Sequence, residues 1–307
     1  MTEWLFGIDG GGTNSRIRVE GMDGSLLYRA EGGGCNPHAG SMKAASATIA
    51  ALINEASQSA GLALHACTAG FIACAGVDTV DERAEICRLV AAASALPAVL
   101  YAGSDAEAAL AGALGSPEGY LLIAGTGSIA LGRSREGRTC RAGGWGHYLG
   151  DEGSAFWLAF EAIKRGLRGY EGRAETTSLY AAALEFFGLR EAADFKPLLY
   201  SGFNKAAIAR FAVRVEEERK AGDLVANGLF AEAARELAIL VASVYERFSA
   251  SVKSTDLALC GGLLDNNETL RRLTSDQLRT RCPNLGIVPR IASAEEGACL
   301  LARSPIA

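Results

Sequence analysis

The chain has 307 residues, 49% of them apolar and 7% aromatic, and a net charge of −5 at pH 7; this is a globular composition, and it excludes a largely disordered chain. At about 150 residues per domain the length suggests two domains. There is no basic surplus to neutralise a phosphate backbone, no apolar run near the ~20 residues of a membrane span, and no basic region in Met1-Thr2-Glu3-Trp4 to open a secretory signal. Nucleic acid and membrane are therefore not expected as partners, and a cytoplasmic setting is.

In chain order, residues 3–8 read as a strand ending in Asp9-Gly10-Gly11-Gly12-Thr13-Asn14, residues 16–20 as a second strand and 25–30 as a third, a meander with a glycine-rich first hairpin. A helix over 42–60, a strand over 67–75, a helix over 81–93, a strand over 98–102 and a helix over 106–114 follow, so the order is βββαβαβα. The same opening then recurs. Residues 120–123 form a strand ending in Ala124-Gly125-Thr126-Gly127-Ser128, and 129–133 and 138–141 form the next two. Helices over 153–168, 174–187, 205–221 and 223–254 interrupt this copy before a strand at 257–260, a helix over 267–279, a strand at 286–288 and a last helix over 294–303. The fold class is α/β: two duplicated domains facing each other across a cleft, one over 1–116 joined by the last helix at 293–307, the other over 117–292. The boundary is expected in the turn-former cluster Gly115-Ser116-Pro117-Glu118-Gly119.

Three glycines in the first hairpin let backbone come close to an anion, Thr13 and Asn14 add side-chain donors, and Asp9 could hold magnesium through water. By itself such a hairpin is more often only a tight turn. The second copy, Gly125 to Ser128, makes a pair that could cradle a triphosphate from two sides. Cys260-Gly261-Gly262-Leu263 is either a turn or a place where a purine lies against backbone. The eight cysteines contain no C-x-x-C pair and sit mostly in apolar segments, so buried free thiols are expected rather than a metal or iron–sulfur site. The run Glu216-Glu217-Glu218-Arg219-Lys220 reads as a solvated helix face, Glu295-Glu296 as acidic residues complementing the start of the last helix, and His147 as a structural histidine.

Together these motifs resemble the sugar kinase, heat-shock-70 and actin ATPase superfamily. The stretch from Gly143 to Ala155, with Asn36, Asp105 and Gly125 to Ser128, is similar to the N-acetylglucosamine kinase branch of the BadF/BadG/BcrA/BcrD ATPase family. The resemblance implies two RNase H-like domains, ATP and Mg2+ as cofactors, and a homodimer. It implies phosphate contacts from Gly11, Gly12, Thr13, Asn14, Gly125, Thr126, Gly127 and Ser128, adenosine contacts from Gly261 and Gly262, and magnesium at Asp9. Sugar contacts would come from Asn36, Asp105, Gly144, Trp145, Gly146 and Asp151, with Asp105 as the catalytic carboxylate. Ser104 and Glu107 form a capping box, which leaves Asp105 to face the cleft and accept the proton of a sugar hydroxyl. The implied reaction is phosphorylation of N-acetylglucosamine at its C6 hydroxyl, with glucosamine or N-acetylmuramic acid as alternatives. A more distant alternative is an ATPase activator of a redox partner, but such activators carry a Cys just before the second glycine loop, where this chain has Ile123-Ala124. Sugar-responsive repressors of the superfamily carry a Cys cluster that this chain lacks.

Overall fold

The computed structural model describes residues 2–304. Its first sheet has the order β3-β2-β1-β4-β5, from β1 (Trp4–Gly10), β2 (Asn14–Gly21), β3 (Leu26–Gly33), β4 (Cys67–Cys74) and β5 (Val99–Gly103). β1 runs antiparallel to β2 and parallel to β4. As the central strand it is covered on both faces, so Trp4, Leu5, Phe6 and Ile8 are all fully buried without alternation. Next to it, β2 alternates: Ser15, Ile17 and Val19 point in, while Asn14 and Arg16 point out. The helices of this half are α1 (Met42–Ser59), α2 (Val80–Ser94) and α3 (Asp105–Leu114).

A second sheet, from β6 (Gly119–Ala124), β7 (Ser128–Arg133), β8 (Thr139–Gly143), β9 (Asp256–Cys260) and β10 (Gly286–Val288), has the order β10-β9-β6-β7-β8. Read from β8, this is the order of the first sheet, so the repeat expected from the sequence is a structural one. Between β8 and β9 lie α4 (Ala155–Tyr170), α5 (Leu179–Phe187), α6 (Phe195–Tyr200), α7 (Lys205–Ala209), α8 (Phe211–Lys220) and α9 (Leu224–Phe248). After β9 come α10 (Gly262–Asn266), α11 (Glu268–Arg281) and α12 (Ala294–Arg303). No helix among the described residues is long and apolar enough to cross a membrane.

Several boundaries depart from expectation for local reasons. The helix expected over 205–221 breaks at Arg210 into α7 and α8. That expected from 174 starts at Leu179, because Asp223 accepts from Thr177 Oγ1 at 2.6 Å and Ser178 N at 2.8 Å and holds the preceding loop. The helix expected over 223–254 ends at Phe248, and α4 starts behind Ser154, whose Oγ accepts from Trp157 N at 3.2 Å. The short α6 and α10 span too few residues to show a period.

The two halves exchange helices. α12 lays Ala298, Cys299, Leu301 and Ala302 against Leu5, Phe71 and Ala73 of the first sheet. In return, α3 lays Ala106, Leu110, Ala113 and Leu114 against Leu121, Leu131 and Ala258 of the second. The helices cross with almost no space between them: a Cβ on Gly112 would lie 1.9 Å from Ser293 O, and one on Gly297 2.0 Å from Ala108 O. Buried ion pairs tie α3 to its other neighbours, α2 and β7. Glu107 accepts from Arg83 at 2.7 Å and from Arg133 of β7 at 3.3 Å, and Arg133 also donates to Pro117 O at 2.6 Å. A division of the chain at residues 116/117 is proposed as a topological one, since α3 belongs to the first half by sequence and to the second sheet by packing.

Candidate active site

Two cavities adjoin where the halves meet. The first, of about 520 Å³, is lined by Asp105, Asp78 and Gly76 from the first half and by Gly125, Thr126, Gly127, Ser128, Arg141, Gly144, Gly146, Asp151 and Lys205 from the second. The other, of about 620 Å³, lies wholly in the second half, between α7–α8 and the Gly262-Leu263 turn. Gly125 and Thr126 line both.

Asp105 is the first residue of α3, behind Ser104, whose N–H donates to Glu107 Oε1 at 3.2 Å. The expected capping geometry is therefore present, and the Asp105 side chain is exposed to the cavity. Its surroundings still desolvate it, which raises its pKa, against the Ala106 N–H that it accepts at 2.9 Å. Asp9, at the end of β1, is pushed up to about 6, first by burial, then by the charges of Asp105 and Glu295, with Arg16 opposing. The two carboxyls thus lie within electrostatic reach of each other. Among the described residues no group of three or more His, Cys, Asp or Glu could hold a metal alone.

The second hairpin is closed by Gly125 N donating to Gly127 O at 2.9 Å. Asp151, almost fully buried, braces it: Oδ1 accepts from Ser128 N at 3.1 Å, and Oδ2 accepts from Lys205 Nζ at 2.6 Å. Asp151 does not cap α4, since Ser154 does. Its oxygens already have partners within the protein, so its expected sugar contacts would be additional to these. Glycine at 261 has φ +101°, and a Cβ there would lie 2.5 Å from Ala124 O, so the backbone before α10 lies directly on the end of β6. Gly262, the next residue, lines the second cavity.

The remaining expected residues are placed differently. Gly12, Thr13 and Asn14 are exposed, and no residue of the first hairpin from Gly11 to Asn14 lines either principal cavity. The structure therefore does not bring the two hairpins together around one space. Asn36 shares a smaller cavity of about 240 Å³ with Gly12, and its Oδ1 accepts from His38 N at 2.8 Å. Trp145, expected to line the sugar pocket, is 60% exposed and lies outside its lining, with the Arg141 guanidinium 4.4 Å from the ring centre. Arg141 also reaches Asp78 of the first half at 3.1 Å. His147 packs among Phe156 and Phe203, as a structural histidine would, and burial and Lys205 lower its pKa.

The sequence reading missed two sets of residues. Lys205 and Arg141 line the first cavity, and Glu216, Glu217 and Lys220, read as a solvated face, line the second. One signal for Lys205 was available: it follows the capping Asn204 at the start of a helix, where a cation is disfavoured unless another anion holds it.

The chain is similar to known amino-sugar kinases over nearly its whole length. The chain is 33% identical over 303 residues to the N-acetylmuramic acid/N-acetylglucosamine kinase of Clostridium acetobutylicum, covering 98% of this chain and 99% of the relative. It is 28% identical to the N-acetyl-D-glucosamine kinase of Dictyostelium discoideum, over 98% of each. The crystal structure of a candidate N-acetylglucosamine kinase from Chromobacterium violaceum superposes with a TM-score of 0.74 at 28% identity, covering 98% of this chain and 99% of that one. The family model of the BadF/BadG/BcrA/BcrD ATPases matches residues 6–302, and the chain belongs to that family.

Proposed function

We propose that the protein is an ATP-dependent sugar kinase that transfers a phosphoryl group to the C6 hydroxyl of an amino sugar, with N-acetylglucosamine preferred. The reading is carried by the two cavities that meet at Gly125 and Thr126, one holding an open carboxylate and the other walled by backbone at Gly262. The nucleotide occupies the second cavity and the sugar the first, so the terminal phosphate lies at the shared hairpin. The C6 oxygen bonds to the terminal phosphorus as the bond from phosphorus to the bridging oxygen breaks. The hydroxyl proton passes to the Asp105 carboxylate, and ADP leaves. Such a transfer needs positioning and charge neutralisation more than a strong base. Magnesium on the triphosphate would supply part of that neutralisation, held by phosphate oxygens and, through water, by Asp9.

Gly11, Gly12, Thr13 and Asn14 reach the phosphates when the halves draw together on sugar. Asn36, Gly144, Trp145, Gly146 and Asp151 serve the sugar in that closed arrangement. A homodimer and a cytoplasmic setting belong to the same reading. N-acetylmuramic acid is the second substrate, favoured by Arg141: a guanidinium lining the sugar cavity suits a lactyl carboxylate.

The experiment is a coupled ADP-release assay of kcat/KM for N-acetylglucosamine, glucosamine, N-acetylmuramic acid and glucose, with and without magnesium. No ATP-dependent phosphorylation of any of the four rejects the kinase reading. Glucosamine tenfold better than N-acetylglucosamine rejects the substrate alone.

A further inference from the structure

Lys205 occupies a position that the implied site residues leave unexplained. It opens α7, in the helical segment inserted between β8 and β9. Its side chain lines the first cavity together with Asp105 and the second hairpin, whereas the next residue, Ala206, lines the second cavity. It therefore marks the junction of the two spaces, on the acceptor side. Its ammonium carries three N–H donors. Asp151 Oδ2 takes one at 2.6 Å, which fixes the nitrogen beside the hairpin, since Asp151 Oδ1 holds Ser128 N at 3.1 Å. The charge around it is otherwise mostly negative: Asp78, Asp105 and Asp151 line the same cavity, and Asp9 lies within electrostatic reach of Asp105. The one other Lys or Arg of that lining, Arg141, is held by Asp78 and the Trp145 ring. A terminal phosphate entering here would meet carboxylates on most sides and one ammonium with donors to spare.

We propose that Lys205 contacts the terminal phosphate of the bound triphosphate, with Asp151 holding the ammonium in place. The proposal rests on the kinase reading and deepens it: Lys205 is the residue by which the site distinguishes ATP from ADP. Because it lies outside the second cavity, it has no part in binding adenosine.

The test compares the wild-type chain with Lys205→Met and with the double variant Lys205→Met/Asp151→Asn, which leaves no unpaired buried carboxylate and so guards against a folding failure. Affinities for a non-hydrolysable ATP analogue, ADP and adenosine are measured by calorimetry, with magnesium throughout, alongside kcat for N-acetylglucosamine. We expect Lys205→Met to weaken the ATP analogue at least fivefold, to leave ADP and adenosine within twofold, and to lower kcat at least tenfold. The double variant should show the same selective loss. Equal weakening of all three ligands would mean that Lys205 only supports the α7–α8 wall, and would overturn the proposal. So would unchanged affinity for the analogue, or its recovery in the double variant, which would mean that Lys205 merely neutralises Asp151. Should the wild type phosphorylate no sugar, the kinase reading fails, while the comparison of analogue with ADP still reports on Lys205.

Discussion

Each half closes its first hairpin with a backbone bond from a glycine N–H, over a loop one residue longer in the first half, and the two put different chemistry beside it. Gly11 N donates to Asn14 O at 2.9 Å in the first half, and Gly125 N to Gly127 O at 2.9 Å in the second. The residue two places before that glycine is Asp9 in the first half and Ile123 in the second. The last helix of each half begins with a Ser-x-x-Glu capping box, Ser104 with Glu107 and Ser293 with Glu296. The residue after the capping serine is Asp105 in one and Ala294 in the other. The duplicated backbone thus offers two equivalent pairs of positions, and only the first half fills them with carboxylates. In the second half the long insertion between β8 and β9 supplies Lys205 and one wall of the nucleotide-sized cavity. On the proposed reading, one copy keeps the acceptor chemistry and the other the phosphate-donor pocket. The exchanged α3 and α12 hold the copies together.

The sharpest break of this comparison makes position 105 neutral, as 294 is. Asp105→Asn keeps the helix start and removes the proton acceptor. We expect kcat to fall by about 10²-fold or more, with the midpoint of thermal unfolding within a few degrees of wild type; activity within threefold of wild type would reject Asp105.

Asp9→Asn makes the other carboxylate position neutral, as Ile123 is. Its native pKa of about 6 lies above the ordinary value near 3.8, so the native state binds the proton more tightly than the unfolded chain. Stability is therefore greatest below the ordinary value, falls as pH rises from about 4 to 6, and stays reduced above that. At pH 7 the variant should be more stable by about 1–3 kcal/mol, and, on the proposed reading, less active by about tenfold, as the magnesium that Asp9 would hold through water loses that support. The activity of the wild type should fall on acidification through about pH 6, and the variant should lack that limb. A variant less stable than wild type at pH 7 would contradict the burial of a charged Asp9.

The helix crossing can be broken without touching the chemistry. Gly112→Ala and Gly297→Ala each place a methyl about 2 Å from backbone of the partner helix, where nothing flexible can yield. Each should cost about 1–3 kcal/mol by overpacking, read as a lower midpoint of urea unfolding, with sugar and ATP KM values nearly unchanged in the folded fraction. Neutral effects at both positions would mean that the crossing is loose.

The repeat, both sheets and the carboxylate at 105 were legible because they rest on local signals: alternation, glycine hairpins and a capping box that accounts for Ser104 and Glu107. What was not legible depends on contacts distant in sequence. Asp151 meets Lys205 across 54 residues; the cation at a helix start hints at an anionic partner, but nothing local says which one. Glu216 and Lys220 looked like a solvated face because i, i+4 charge pairs commonly are one; the cavity that they face is made by α10 and by the strand end on which Gly261 lies. Trp145 was expected at the sugar from the resemblance, whereas its ring, outside the lining, has the Arg141 guanidinium as a cationic partner.

The smallest expected effect concerns the ion pair of Arg141 with Asp78, between facing walls of the first cavity. Arg141 and Asp78 are 3.1 Å apart, with side chains 30% and 45% exposed, and pairs so exposed are worth about 0–1 kcal/mol. Asp78→Asn should therefore leave stability unchanged within error. Its effect should appear in selectivity, because Arg141 then meets substrate without a competing carboxylate. About 1 kcal/mol regained by a carboxylate-bearing sugar corresponds to roughly a fivefold gain. We expect kcat/KM for N-acetylmuramic acid to rise about two- to fivefold relative to N-acetylglucosamine in Asp78→Asn, and to fall below the wild-type ratio in Arg141→Met. A ratio that moves in neither variant would place the lactyl group away from Arg141. The two halves would then meet at this pair only to set the width of the cleft mouth.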